Sequence, residues 1–490
     1  LTFATAKPAV IRGIAESRVD AALFGWSYDY VGDLAETVAL IWPARANPGR
    51  APELSEVVEA LTRAGRSQAQ EFISAWLDAL GATERWALLK LITGAPRVGV
   101  SARLAKQAAA DLGGVPVGDV EEIWHAQAPP YVELFAWLAE GAPRPITQAP
   151  GRFRPVMLAH ALDEAKDFAT YQPEDYAAEW KWDGIRVQAV NEGGVRRLYS
   201  RTGDLISDAF PDLMSALAFE GVIDGELLVL RDGRVASFGD LQQRLNRKST
   251  PSSLLASHPA GLRAYDILVD GDEDVRSLTF GERRRRLERL VAGCDSGRID
   301  LSPLVAFSSW ESLAALRADP PPGDAALAEG FMLKRWDSPY LAGRPKGPWF
   351  KWKRDPFLLD TVLLYAQRGH GRRSSFYSDF TFGVWRPEPD GGRSLTPVGK
   401  AYFGFTDDEL KSLDAFVRDN TLARFGPVRQ VRAEADHGLV LEVAFEGLQR
   451  STRHKSGVAM RFPRIHRIRW DKPPREADDL SALEALLKEG

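Results

Sequence analysis

Through the first 140 residues the apolar positions recur at three and four. SQAQEFISAWLDAL (67–80) and TERWALLKLI (83–92) each gather their large side chains on one helical face, and SARLAKQAAADLGG (101–114) ends on glycines, as helices often do. GAPRPITQAPGRFRP (141–155) is dense in proline and glycine and reads as a linker, which sets a first boundary near residue 150. The period then shortens. YAAEWKWDGIRVQAV, GGVRRLYSRTG, GVIDGELLVLRDGRV, RAYDILVDG, EGFMLKRW and PWFKWKR are β-rich or alternating and bounded by Gly and Asp. They predict antiparallel strands, with hairpin turns at EGG (192–194) and RDG (231–233). SLTFGERRRRLERLVAG (277–293) is the clearest helix among them. Beyond Pro356, DTVLLYAQRG, SFYSDFTFGVWRP and GLVLEVAFEGLQ surround one helix, DDELKSLDAFVRDNTLARF, a pattern that fits a small β-barrel.

A chain of 490 residues is too long for one core, so two to four domains are expected. It holds no run of about 18 apolar residues, the length of a membrane-spanning helix. A single cysteine, Cys294, excludes an intramolecular disulfide framework and a multi-cysteine zinc finger, and suits a reducing cytoplasm. The sequence opens on Leu1, and LTFATAKPAVIRGI reads as the middle of something, so further residues are expected before it. The net charge of −4 argues against a nucleic-acid partner, but its distribution argues for one. Residues 331–376 carry ten Lys/Arg against three Asp/Glu, and residues 446–474 carry eight against two. Local basic surface matters more for binding phosphate than the whole-chain sum.

EWKWDGIR (179–186) is the densest candidate chemistry. A lysine must lose its proton to attack anything, and burial near aromatic rings and other cations favours that loss. Trp180 and Trp182 fall on the opposite face of the strand from Lys181 and are expected to pack below it. Gly184 permits a tight turn after Asp183, and Arg186 can offer a planar fork to a carboxylate, phosphate or ribose. A hairpin lysine on the surface would explain this stretch alone. Further along, Arg201 stands at a strand end, and Glu226 (in DGE) and Glu329 (in EG) put carboxylates in or beside strands. Mg²⁺ is commonly held by one or two carboxylates together with substrate phosphates. Lys351 and Lys353 alternate, so they share a face.

In this order, KWDGIR, SRTG, DGE, YD, EGFMLK and WFKWKRD resemble the collinear motifs of the covalent nucleotidyltransferase superfamily, and RFPRIHRIRWDKP (461–473) resembles its last motif. The likeness is to ATP-dependent DNA ligases of the three-domain kind and covers nearly the whole chain. It implies a multidomain α+β protein: an all-α DNA-binding domain (1–150), an antiparallel-sheet nucleotidyltransferase domain (151–355) and a C-terminal oligonucleotide-binding (OB) β-barrel (356–490). The resemblance implies that Lys181 attacks the α-phosphate of ATP, with Asp183, Arg186, Lys351 and Lys353 completing the catalytic set. Glu179 would accept from the adenine amine, and Tyr265, where the family usually has phenylalanine, would stack on the base. Arg186 and Arg201 would hold ribose and phosphate, and Glu226 and Glu329 would bind Mg²⁺, or Mn²⁺ in its place. Arg469, Asp471 and Lys472 would orient the departing pyrophosphate.

For nicked double-stranded DNA the resemblance implies contacts from Phe238, Arg244, Arg461, Phe462 and Arg464. Arg97, with Gly99 and Ser101, is a further candidate for phosphate contact through a turn after a helix. Phe238 and Phe462 could equally be core phenylalanines, and GERRRRLERL is expected to be a solvated charged face rather than a DNA reader. The implied enzyme is a cytoplasmic monomer. Its rivals are an mRNA-capping-type nucleotidyltransferase, disfavoured because the Glu179 carboxylate repels the O6 of guanine, an RNA ligase, disfavoured because the long helical domain suits a ligase that encircles duplex DNA, and a non-catalytic nick-binding scaffold.

Overall fold

A computed structural model describes residues 5–31, 33–43, 49–94, 100–127, 130–145, 150–245, 250–294, 296–368, 376–425, 428–451 and 454–489. These form two compact units, Leu1–Val100 with Pro356–Glu489, and Ser101–Asp355. No helix among the described residues is long and apolar enough to cross a membrane.

The predicted helices of the first hundred residues form at Arg66–Ala79 and Ala82–Ile92, with four more before them. Their apolar stripes meet in a core that includes Ile11, Phe24, Val38, Trp42, Ile73, Leu77 and Leu89. Trp42 satisfies its indole N–H on buried Asp78 at 3.0 Å.

In the same unit the segment after Pro356 is mostly antiparallel sheet. Strands run in the order Arg393–Ala401, Tyr377–Pro387, Phe357–Arg368, Val428–Val431 and Thr421–Phe425. Phe357–Arg368 is long enough to change partners: its first half pairs with Val440–Phe445, which in turn pairs with Arg464–Arg469. The sheet curls around Leu363, Phe380, Phe382, Leu441 and Phe445, and helices Asp407–Asp419 and Leu480–Glu489 pack on that core.

The unit of residues 101–355 begins with helices Ala102–Gly113, Val117–Trp124 and Val132–Glu140. Gly113 is needed where they cross, since a Cβ there would lie 2.5 Å from the Leu138 side chain. Glu122 ties these helices to the rest of the unit through Arg276, at 2.9 and 3.0 Å.

Two sheets follow. One orders its strands His160–Ala161, Trp349–Lys353, Gly330–Arg335, Tyr176–Trp180 and Leu304–Val305. The other runs Val195–Ser200, Ile185–Glu192, Gly221–Arg231, Ala260–Asp270 and Glu273–Asp274. Both expected hairpin turns form, with positive φ at Gly193 and Gly194 and at Asp232 and Gly233. The Asp183-Gly184 turn is different: it carries the chain from the first sheet to the second. Gly184 is pressed so close to the second sheet that a Cβ would stand 2.5 Å from the Leu227 carbonyl oxygen.

Candidate active site

Strand alternation builds the site. On Tyr176–Trp180 and its continuation, Tyr176, Ala178, Trp180 and Trp182 enter a core with Phe331, Leu333, Phe350 and Trp352. Glu179 and Lys181 therefore belong to the other face. Met332 pairs in register with both Glu179 and Lys351, and Gly330 with Lys353, so those lysines share the Glu179 face. Lys181 is fixed at the strand end by its N–H to the Gly330 carbonyl at 2.8 Å and by its own carbonyl, which accepts from the Glu329 N–H at 2.7 Å.

The second sheet has the same division. Val187, Ala189, Ile223 and Leu227 enter its core, while Arg186, Gln188, Asp224 and Glu226 occupy the alternate face. Val190 and Val222 of that face share a cluster with Met332 and Trp349 of the first sheet. The polar faces of the two sheets are thereby turned toward each other.

Within this cleft the Lys181 ammonium is paired with the Glu329 carboxylate, and Lys353 stands 3.8 Å from the same oxygen. Burial lowers the Lys351 pKa, and the charges of Lys353, Arg344, Lys181 and Arg201 act in the same direction. Arg344 has no motif to mark it in the sequence. Burial pushes Glu226 up to about 8; Lys181 and Arg186 oppose the shift, and Glu329 and Asp183 add to it. Arg201 lies exposed on the SRTG turn. Gly203 of that turn, at φ +86°, is approached so closely by His125 that a Cβ would meet the ring at 2.4 Å.

Arg186 is held by protein. It donates to Asp224 at 2.6 Å, to the Tyr340 hydroxyl at 2.9 Å and to the Met157 carbonyl at 2.5 Å, and its buried Nε has no partner among the described residues. Glu179 is 2% exposed and accepts from Lys334 at 3.0 Å and Arg284 at 3.1 Å. Tyr265 is half-buried, with Lys334 4.5 Å and Arg186 6.0 Å from its ring centre. Nothing along the chain marks Asp224, Arg284 or Tyr340 as partners of these groups, because they lie 38 to 154 residues away.

Arg469, Asp471 and Lys472 belong to the other unit. Arg469 pairs with Asp471 at 2.9 Å and Asp360 at 3.2 Å, and Lys472 donates to Asp360 at 2.7 Å. The hydrogen bond from Arg469 brings the Asp471 carboxyl down to about 2. Phe462 is 61% exposed at φ +50°, with Arg461 over its ring at 5.8 Å. Arg464 is half-buried, 3.8 Å from Glu446.

Two expectations need correction. Arg244, taken for a DNA contact, is fully buried and donates to Asp212, the His258 carbonyl and the Ala209 carbonyl. The helix Phe280–Ala292, taken for a solvated face, buries Arg283 against Asp266 and Arg284 against Glu179. In both cases a deep carboxylate, invisible as such in the sequence, draws the guanidinium inward. Phe238 is half-buried against the core of the second sheet. Arg97 and Gly99 lie outside the described residues.

No group of three or more His, Cys, Asp or Glu able to hold a metal occurs among the described residues. Glu226, whose proton affinity the charges of Glu329 and Asp183 raise, and Glu329, paired with Lys181, are the two carboxylates expected to take a metal.

Residues 156–353 match the model of the ATP dependent DNA ligase domain, and residues 373–472 that of the ATP dependent DNA ligase C terminal region. A probable DNA ligase of Koribacter versatilis is 32% identical over 98% of this chain and 84% of its own. DNA ligase 1 of Korarchaeum cryptofilum is 31% identical over 89% of this chain and 79% of its own. The solved structure called Pmar-Lig_Pre, 16% identical, superposes over 95% of both chains with a TM-score of 0.58, so the two share a fold. With the motifs in order and relatives matching over most of their length, the chain belongs to the ATP-dependent DNA ligases, enzymes that seal nicks in DNA through a lysyl-AMP intermediate.

Proposed function

We propose that Lys181 is the residue adenylylated in this ligase. The observation that carries this is its strand-end position, on one face with Lys351 and Lys353 and against Glu329. The Lys181 ammonium first gives a proton to solvent. Its Nζ then forms the bond to the α-phosphorus of ATP, the bond from that phosphorus to the oxygen bridging the β-phosphate breaks, pyrophosphate leaves, and the second nitrogen proton passes to solvent. Glu329 orients the amine, and Asp183 completes the turn that fixes it. Lys351 and Lys353 offset charge on the α-phosphate, the dominant requirement of phosphoryl transfer. Tyr265 offers a ring face to adenine and Glu179 an acceptor to its amine, while the unpartnered Nε of Arg186 and the exposed Arg201 supply donors for ribose and phosphate. AMP then moves to the 5′-phosphate of the nick, and the 3′-hydroxyl displaces it.

The donor set also fits a divalent cation. Glu226 and Glu329 would hold Mg²⁺, or Mn²⁺, with substrate phosphates filling the remaining positions. Bound there, the ion neutralises phosphate charge.

In this reading the chain has three domains. Residues 1–150 are an all-α DNA-binding domain, supported by the helices at both ends of that span. Residues 151–355 carry the nucleotidyltransferase site, and the curled sheet of residues 356–490 is an OB barrel, whose Arg469, Asp471 and Lys472 orient pyrophosphate. Phe462, Arg461 and Arg464 face nicked duplex, with Phe238 beside the nick. The enzyme acts as a cytoplasmic monomer.

The test is incubation of wild type and Lys181→Ala with α-labelled ATP and magnesium, followed by denaturing electrophoresis. Label on the wild type alone is the expected result. Equal labelling of both proteins would assign the adenylate to another residue, and competition by unlabelled GTP as strong as by ATP would remove Glu179 as a base reader.

A further inference from the structure

Lys334 is a lysine with 1% of its surface exposed, and the reaction as described above has no use for it. Its Nζ donates to Glu179 Oε2 at 3.0 Å and to the backbone carbonyl of Tyr265 at 2.9 Å. Arg284 approaches the same carboxylate from the helix Phe280–Ala292. Its Nη1 donates to Glu179 Oε1 at 3.1 Å and to the Ser302 carbonyl at 2.8 Å, and its Nε to Glu288 at 2.8 Å. Each carboxylate oxygen therefore has one cation, and each cation is anchored by a second partner. Neither can swing away without abandoning a buried hydrogen bond.

Resting on the reading of Glu179 and Tyr265 as the adenine site, we infer that Lys334 and Arg284 are positioning residues that make this ligase selective for a purine bearing a 6-amino group. Lys334 joins the two halves of base recognition, gripping the acceptor with one hydrogen bond and the main chain of the stacking residue with another. Two residues along a strand place the Glu179 acceptor roughly 6–7 Å from Lys181, so it can reach the base while the nucleophile meets the α-phosphate.

Electrostatics require such a clamp. Burial raises the Glu179 pKa and so favours the neutral acid, Asp266 adds to that, and the charges of Lys334 and Arg284 oppose it. Asp266 is itself neutralised by Arg283 at 2.8 Å. A neutral carboxyl has an O–H that would meet the amine donor to donor, whereas the ionised form accepts only. With one cation on each oxygen, the carboxylate still keeps a free lone pair on each for an incoming N–H.

The experiment measures self-adenylylation with ATP and with purine riboside triphosphate, which lacks the 6-amino group. Wild type, Glu179→Leu, Lys334→Met, Lys334→Gln, Lys334→Arg, Arg284→Met, Arg284→Gln and Arg284→Lys are compared, with thermal unfolding as a check on folding. Wild type is expected to favour ATP, and Lys334→Met and Arg284→Met to lose roughly 10- to 100-fold of that preference through KM, the range for a hydrogen bond to a charged group. The maximal rate with the amine-free analogue should stay within about threefold of wild type, and Lys334→Arg should restore part of the preference. A merely structural lysine would lower both nucleotides equally. If Glu179→Leu, which removes the acceptor, loses the preference while both methionine variants keep it, the clamp is overturned and the adenine reading stands. If Glu179→Leu keeps it, the adenine reading falls and takes the clamp with it. Should the methionine variants fail to fold, wild-type selectivity in both Lys334→Gln and Arg284→Gln, which remove the charge, would equally overturn the proposal.

Discussion

Substituting Arg244 by methionine separates two roles that the sequence leaves confounded. As a DNA contact, Arg244 would neutralise a phosphate, and its loss would flatten the salt dependence of nicked-DNA binding by roughly one unit of slope while leaving stability alone. The structure instead makes it a fully buried charge. It donates to both oxygens of Asp212, at 2.7 and 3.1 Å, and to the carbonyls of His258 and Ala209, at 2.7 and 3.0 Å, with its guanidinium 5.0 Å from the Phe210 ring centre. Removing one partner of a buried pair typically costs about 3–5 kcal/mol, because the other charge is left behind. Asp212 would not be wholly abandoned, since it also accepts from the Ala260 N–H at 2.9 Å and from Arg298 at 3.4 Å. Those partners place the expected loss near the lower bound, about 3 kcal/mol, or roughly 6–12 °C for a unit of this size. Calorimetry and urea unfolding of wild type and Arg244→Met, with binding to nicked duplex across a salt series, decide the matter. An unchanged melting temperature with a shallower salt slope would refute the buried-pair argument.

Further consequences concern pH and the DNA face. Burial holds the His125 imidazole down to about 4, with Lys106 acting in the same direction and Asp204 against it. An unfolded histidine titrates near 6.5, so the unfolded chain takes up the proton first. The stability this provides is complete above about pH 6.5 and falls as pH drops toward 4, by roughly 2 kcal/mol after solvent screening of a half-buried ring. Urea midpoints at pH 7.5 and 5 should show it, and an equal slope in His125→Gln would exclude it. Burial pushes Glu226 up to about 8, so an Mg²⁺ held there as proposed would have to displace a proton at neutral pH. The magnesium needed for half-maximal adenylylation should therefore fall between pH 7 and 8.5 in wild type and stay flat in Glu226→Gln; a flat wild-type response would count against Glu226 as a ligand. Phe462→Ala should weaken binding to nicked DNA several-fold while changing stability by less than about 0.5 kcal/mol, as expected for an exposed side chain away from any core. Undiminished affinity in a filter or gel assay would remove Phe462 from the interface.

Local pattern carried far in this chain, and its limits have a physical cause. Strand alternation put Lys181 opposite its flanking tryptophans, made Lys351 and Lys353 neighbours on one face, and located both glycine hairpins, because these relations depend on neighbours two to four residues apart. The same local chemistry, helped by an ordered set of motifs, also identified the reaction. What it could not supply was the state of each charge. Arg244 and Arg284 look like any surface arginine in sequence, and only tertiary contacts with Asp212, 32 residues away, and Glu179, 105 residues away, bring them inside. Lys334 reads as the last letter of a motif, yet strand pairing and the approach of Tyr265 turn it into a buried cation bound to the acceptor. The sequence by itself determined which groups are present and on which face of a strand they stand. The tertiary structure decided which of them lose water and meet an opposite charge, because desolvation and ion pairing depend on distances in space that a chain folded over a hundred residues does not encode locally.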